Sequence, residues 1–132
     1  MPAVADSITG SYEGLNIDEG NTIYYSGSGS NTNEDPNDPH VSSASRHMRR
    51  SMKYSHPVRV LRNSQGNPRW SPSVGIRYDG LYEIVDEEEL VNKLGGKFVR
   101  FVLVRKRGQN PIQQNRPNPA EKNAFHWLKN SL

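Results

Sequence analysis

Three runs along the chain alternate apolar and polar residues with a period of two. Val58 and Val60 alternate against Arg59 and Leu61, Tyr82 and Ile84 against Leu81, Glu83 and Val85, and Val99, Phe101 and Leu103 against Arg100, Val102 and Val104. Such alternation places each apolar set on one face of a strand, and the Gly- and Pro-rich connectors between the runs predict a twisted sheet. Ile23–Ser26 is short, β-branched and aromatic, and predicts a further strand running into a Gly-Ser turn. From Ser28 to Pro39, the prolines, Gly29 and several Asn and Asp predict a long surface loop.

The period changes after that loop. Val41, Ala44, Met48 and Met52 recur at helical spacing and predict a short amphipathic helix, bounded on its exit by Pro57. Asp86–Glu89, followed by Leu90, Val91 and Leu94, predicts a helical turn before Gly95-Gly96. After Pro117 and Pro119, the segment 120–132 carries Ala124, Trp127 and Leu128 on one face and predicts a terminal helix. No internal repeat is present. The expected fold class is mainly β with flanking helices (α+β), a twisted sheet or barrel with a helix or two outside it. The expected domain is residues 1–116, with an acidic loop at 30–40, and 117–132 forms a helical tail.

Charge changes this picture more than composition does. Residues 1–45 carry seven acids and no Lys or Arg, 46–78 eight bases and no acid, 79–89 six acids, and 90–132 nine bases against Glu121. The net charge of +3 therefore conceals two basic blocks able to meet phosphates. Within the first, Arg46, Arg49, Arg50 and Lys53 fall at i, i+3, i+4 and i+7, a single helical stripe away from the methionines and suited to a phosphate backbone. The absence of cysteine excludes disulfides, thiolate metal sites and Cys-based zinc modules. No apolar run is long enough for a membrane helix, and the acidic start lacks a secretory pattern, so the expected location is intracellular.

Four ordered blocks carry a family resemblance. Tyr12-Glu13-Gly14 leads through Asn16–Asn21 into Tyr24-Tyr25-Ser26-Gly27-Ser28-Gly29. Pro57-Val58-Arg59-Val60-Leu61-Arg62 follows, then Gly75-Ile76-Arg77-Tyr78-Asp79-Gly80-Leu81-Tyr82, then Arg100–Arg105 with Gly108-Gln109. In order and approximate spacing these resemble the SRA (SET- and RING-associated) or YDG domain, and the composition resembles its fungal members. The resemblance implies a fold of the SRA/PUA-like barrel type and recognition of modified cytosine in double-stranded DNA. It also implies a nuclear location, a role in chromatin or epigenetic regulation, and chromatin proteins as further partners.

A protein that reads one base inside a duplex must extrude it into a pocket with aromatic faces and polar groups for the base edge. By the resemblance, Tyr12 and Tyr25 sandwich the flipped base, and Asn16 stands where relatives place an acid on the cytosine amino group. A shift of one residue in alignment would give that role to Glu13 or Asp18. Ser26, Gly27 and Ser28 supply hydroxyls and close backbone approach. Arg77, Tyr78, Asp79 and Gly80 are expected to be structural: Tyr78 packs and Asp79 fixes a turn ahead of a strand.

Two departures from the family stand out. Where relatives carry a basic finger after the Gly-rich turn, this chain has Glu34, Asp35 and Asp38, which repel phosphates unless the loop points away. Only about ten residues precede Tyr12, so the domain is expected to be N-terminally short. Ala5–Ile8 would then hold the end of a lost strand, and the barrel would be open or completed by another chain.

Enzymatic readings find little purchase. Asp86–Glu89 with Lys93 has no recognisable nuclease spacing and is expected to be a solvated turn. The four histidines show no zinc-ligand spacing, and the Ser-Gly repeat lacks a nucleophile's strand-to-helix context. No catalytic residue, metal or cofactor is expected. The alternative to base reading is a degenerate scaffold or interaction module that no longer reads DNA selectively.

Overall fold

A computed structural model of the chain describes residues 3–4, 15–27, 29–39 and 41–113. Its elements in order are β1 (Ala3–Val4), β2 (Ile17–Asp18), β3 (Thr22–Ser26), α1 (Ser43–Lys53), β4 (Val58–Asn63), β5 (Ile76–Val91) and β6 (Lys97–Arg105). The strands form one sheet in the order β1-β4-β5-β6-β3-β2. All pairings are antiparallel except β1 with β4, which is parallel through Ala3↔Val58 and Val4↔Arg59. The sheet is open: β1 and β2 are its edges, and closure into a barrel is not made by the described strands. No described helix is long and apolar enough to cross a membrane.

The period-two runs lie where their pattern places them. Ile23, Tyr25, Val58, Val60, Tyr82, Ile84, Val99, Phe101 and Leu103 form one core face, and Met48 of α1 packs onto it. Burying such side chains stabilises the sheet by roughly 1.5–3 kcal/mol each. Ser42 caps α1, its hydroxyl accepting from the Ser45 backbone N–H at 3.1 Å.

The acidic run 86–89 corrects a sequence expectation. These residues are not a helical turn but the middle of the 16-residue β5, paired with β6 through Asp86↔Val102, Glu87↔Phe101, Glu88↔Arg100 and Glu89↔Val99. The register skips Val85 between Ile84↔Leu103 and Asp86↔Val102, so Val85 is an extra, bulged residue, 54% exposed. Because a one-residue insertion swaps the two faces, Glu87 falls opposite core-facing Phe101 and meets α1, where the Arg49 Nε donates to it at 2.7 Å. Glu88 pairs with Arg100 at 3.0 Å and Glu89 with Lys97 at 2.7 Å. Long-range pairing with β6 overrides the local 3.6-residue spacing of Leu90, Val91 and Leu94. Glu87, Glu88 and Glu89 thus form separate ion pairs along a strand and do not converge on one point.

A second bulge contains the Tyr-Asp-Gly run. Arg59 pairs with Leu81 and Leu61 with Tyr78, so Asp79 and Gly80 together oppose Val60. Gly80 adopts φ +100°, and a Cβ there would strike the Gln109 Oε1. Two expectations are corrected. The motif lies inside β5 and not at a turn ahead of it, and Tyr78 does not pack, since it faces outward and is 53% exposed.

Candidate nucleic-acid interface

The end of β3 converges with the start of α1. Ser26 donates its backbone N–H to the Asn16 Oδ1 at 2.7 Å, and its hydroxyl donates to the Leu15 carbonyl at 3.4 Å. This ties the segment before β2 to the last residue of β3. One residue on, Gly27 is buried against the helix N-terminus, where a Cβ would collide with the Ser45 and Ser42 hydroxyls. Ser30 turns back to donate its hydroxyl to the Gly27 carbonyl at 2.7 Å. Asn16, Ser26 and Gly27, three of the residues singled out from the sequence, are thus brought together. Tyr12, Glu13 and Ser28 lie outside the described residues, as do 5–8 and 114–132.

Tyr25 sits differently from the rest of this group. It pairs with Phe101 on the core face of the sheet and is 5% exposed. Its neighbour Tyr24 lies on the outer face, with the Arg100 guanidinium 4.9 Å above its ring.

The cationic stripe is divided. Arg46, Arg50 and Lys53 are exposed, whereas Arg49 is engaged by Glu87. Lys53 lies 5.5 Å from the ring centroid of the exposed Tyr54. The acidic loop is folded back onto the β5–β6 turn. The Asn92 side-chain amide donates to the Ser30 and Asn33 carbonyls, both at 2.8 Å, the Asn33 amide donates to the Lys97 carbonyl at 2.8 Å, and the Lys97 N–H donates to the Asp35 carbonyl at 2.9 Å. A Cβ at Gly96 would overlap the Asn33 carbonyl. Glu34, Asp35 and Asp38 are therefore held on a hairpin end and not extended as a finger.

The largest group of functional interest missed by sequence reasoning is a buried ionic network beneath the β2–β3 turn. Arg62 has no exposed side-chain surface. It donates from Nε and one terminal nitrogen to the two Asp18 carboxylate oxygens at 2.7 and 2.8 Å. Its other terminal nitrogen donates to Asp79 at 2.8 Å, and the Gly20 carbonyl accepts a further bond at 2.8 Å. Asp18 also accepts from the Gly20 N–H at 2.9 Å, and the Tyr82 hydroxyl donates to the Gly20 carbonyl at 2.6 Å. Asp79 takes a second cation, Arg77, at 2.5 Å, and Arg77 also donates to the Trp70 carbonyl. Burial alone would lower the pKa of Arg62, but the hydrogen bonds and charge of Asp18 outweigh it and raise it above the ordinary arginine range. Burial also raises the Tyr82 hydroxyl, with the adjacent Arg62 cation pulling partly the other way.

With both Asp18 oxygens committed to Arg62 and the Gly20 N–H, Asp18 is removed as an alternative to Asn16 for the base edge. Asp79 likewise serves as an anion for two arginines and not as a turn former. A signal for Arg62 was present in the sequence: strict alternation from Val58 and Val60 puts Arg62 on the same, buried face.

The chain matches the SAD/SRA domain over residues 2–109. It is 35% identical over 104 residues to the histone-lysine N-methyltransferase family member SUVH2 of Arabidopsis thaliana, covering 77% of this chain and 16% of that protein. Among solved structures, the SUVH5 SRA domain in complex with fully methylated CG DNA superposes with a TM-score of 0.60 at 27% identity, covering 83% of this chain and 69% of that one. A modification-dependent restriction endonuclease, TagI, superposes with a TM-score of 0.61 at 29% identity over 96% of this chain and 49% of that one. The chain thus corresponds to the SRA portion of larger proteins and spans only a small part of SUVH2. Four ordered sequence blocks, the sheet they build and a match across most of the length lead to one assignment: the chain belongs to the SAD/SRA domain family.

Proposed function

We propose that this chain is a DNA-binding module for 5-methylcytosine that flips the modified base out of the duplex into a tyrosine-lined pocket. The proposed pocket comprises Tyr12, Asn16, Tyr25, Ser26, Gly27 and Ser28. Arg46, Arg50 and Lys53 lie on the phosphate backbone, and Arg49 supports the helix through Glu87. The proposed domain is 1–116 with 117–132 as a tail, on a partly open SRA/PUA-like barrel. Two bulges that bend the sheet support that curvature. The proposed setting is chromatin in the nucleus, without catalysis by this domain.

The observation that carries the reading is the Asn16–Ser26 hydrogen bond, one residue before Gly27 meets the N-terminus of α1, in a chain with structural relatives solved on methylated DNA. Having accepted from Ser26, the Asn16 carbonyl oxygen keeps a second lone pair for a cytosine amino group. That bond is neutral and weaker than the charge-assisted one an acid would make. Stacking on tyrosine adds about 1–3 kcal/mol per base.

Anisotropy titration of methylated and unmethylated duplexes tests this reading. A preference for the methylated duplex that disappears in Asn16→Ala is expected; equal affinities for both duplexes would sink it. A second reading, a scaffold without selective base reading, is favoured by the burial of Tyr25 in the core. Its signature is weak binding that vanishes at moderate salt and ignores methylation.

A further inference from the structure

The Asp18–Gly20 turn is held from three directions. Arg62 grips it from β4, the Asn67 side-chain amide donates to the Asp18 carbonyl at 3.0 Å, and the Trp70 ring lies against Gly20. Gly20 adopts φ +80°, and a Cβ there would come within 2.7 Å of the indole. Two residues before Asp18 stands Asn16, whose side chain fixes the Ser26 N–H. On its far side, Arg62 is anchored by Asp79, the residue displaced toward it by the bulge opposite Val60. β2 is a two-residue edge strand, paired only with β3, and its ladder alone cannot hold a turn in place.

We infer that Asp18, Arg62 and Asp79 are positioning residues for base reading: the buried bridge carries the shape of the Asp79-Gly80 bulge to the Asn16–Ser26 hydrogen bond. The inference rests on the functional reading above. It gives the Tyr-Asp-Gly run a role in selectivity without contact with DNA. A guanidinium suits this role because its planar fork can hold both Asp18 oxygens and Asp79 at once, which an ammonium cannot.

The test uses the full chain with Arg62→Lys, Asp79→Asn and, as a core control away from the bulge that holds Asp79, Ile84→Ala, with a denaturation midpoint measured for each. Asp79→Asn keeps an acceptor for Arg62 and is the milder change if Arg62→Lys folds poorly. Two quantities are read: the ratio of methylated to unmethylated affinity, and hydrogen exchange at the Ser26 amide relative to that of Phe101. In the network variants the ratio falls about fivefold, the effect of one neutral hydrogen bond, with the salt slope unchanged. Ser26 exchange accelerates by about tenfold relative to Phe101 as the local contact opens. Ile84→Ala leaves both quantities at wild-type values. Wild-type Ser26 exchange in Asp79→Asn, or equal loss of both quantities in Ile84→Ala, overturns the positioning role. Absence of methyl preference in the unmodified chain instead overturns the functional reading, so the two failures are distinct.

Discussion

Replacing Arg62 by methionine removes the cation on which two buried carboxylates depend while roughly preserving volume. The side chains of Arg62, Asp18 and Asp79 are 0%, 1% and 3% exposed, so solvent screening does not soften the change. Asp18, Asp79, Arg62 and Arg77 together are neutral; without Arg62 the group carries one uncompensated negative charge. Breaking a buried pair by removing one partner costs about 3–5 kcal/mol. Asp79 keeps Arg77, and Asp18 keeps the Gly20 N–H, which places the expected loss at the lower end, about 3 kcal/mol. At about 3–5 °C per kcal/mol for a chain of 132 residues, the melting midpoint falls by about 9–15 °C. Urea denaturation at neutral pH, followed through tryptophan fluorescence, measures the loss. The double variant Asp18→Asn/Arg62→Met, which relieves the stranded charge, should be less destabilised than the sum of the two single changes by about 1–3 kcal/mol. A loss for Arg62→Met below about 1 kcal/mol, the value of an exposed pair, would refute the claim that the bridge is dry.

Four further outcomes follow from the same geometry. Gly80→Ala should cost more than Gly95→Ala in urea denaturation: both need positive φ, worth about 1–2 kcal/mol, but only at Gly80 does a Cβ displace the Gln109 amide from Leu81. Tyr82 has a pKa raised above its ordinary 10.0, so the unfolded chain loses that proton first and stability falls as pH rises past about 10; Tyr82→Phe should flatten this alkaline limb in a pH series of melts. Arg46→Ala/Arg50→Ala should weaken binding to methylated and unmethylated duplexes alike and reduce the salt dependence by about one phosphate contact per residue in titrations across salt. Arg49→Ala should instead lower stability by only a few tenths of a kcal/mol, about the value of a partly exposed ion pair, since its charge is engaged by Glu87.

Much of the scaffold could be read directly from residue order. Val58/Val60, Tyr82/Ile84 and Val99/Phe101/Leu103 specify their faces because a strand has a period of two whatever surrounds it, and the helix bearing Met48 is equally local. The four motif blocks likewise carried the family. Of the candidate pocket, Asn16, Ser26 and Gly27 were named from sequence and are drawn together by the fold.

What the sequence could not decide depended on pairing between distant segments. Whether 86–94 is a helix or a strand turned on β6, whose backbone groups satisfy it residue by residue, and the bulge at Val85 then chose which acids face α1. The Tyr-Asp-Gly run shows the same limit: local turn chemistry favours Asp79-Gly80 as a turn, but the β4 register makes it a bulge that turns Tyr78 outward and Asp79 toward Arg62. Asp18, Arg62 and Asp79 are separated by 44 and 17 positions in the chain. Their charges pair only once the sheet has excluded water, because a buried ion must find its counterion and an exposed one need not. Sequence by itself determined the family, the strand faces and the cationic helix; tertiary structure decided which charges face solvent and which lock the turn below the candidate pocket.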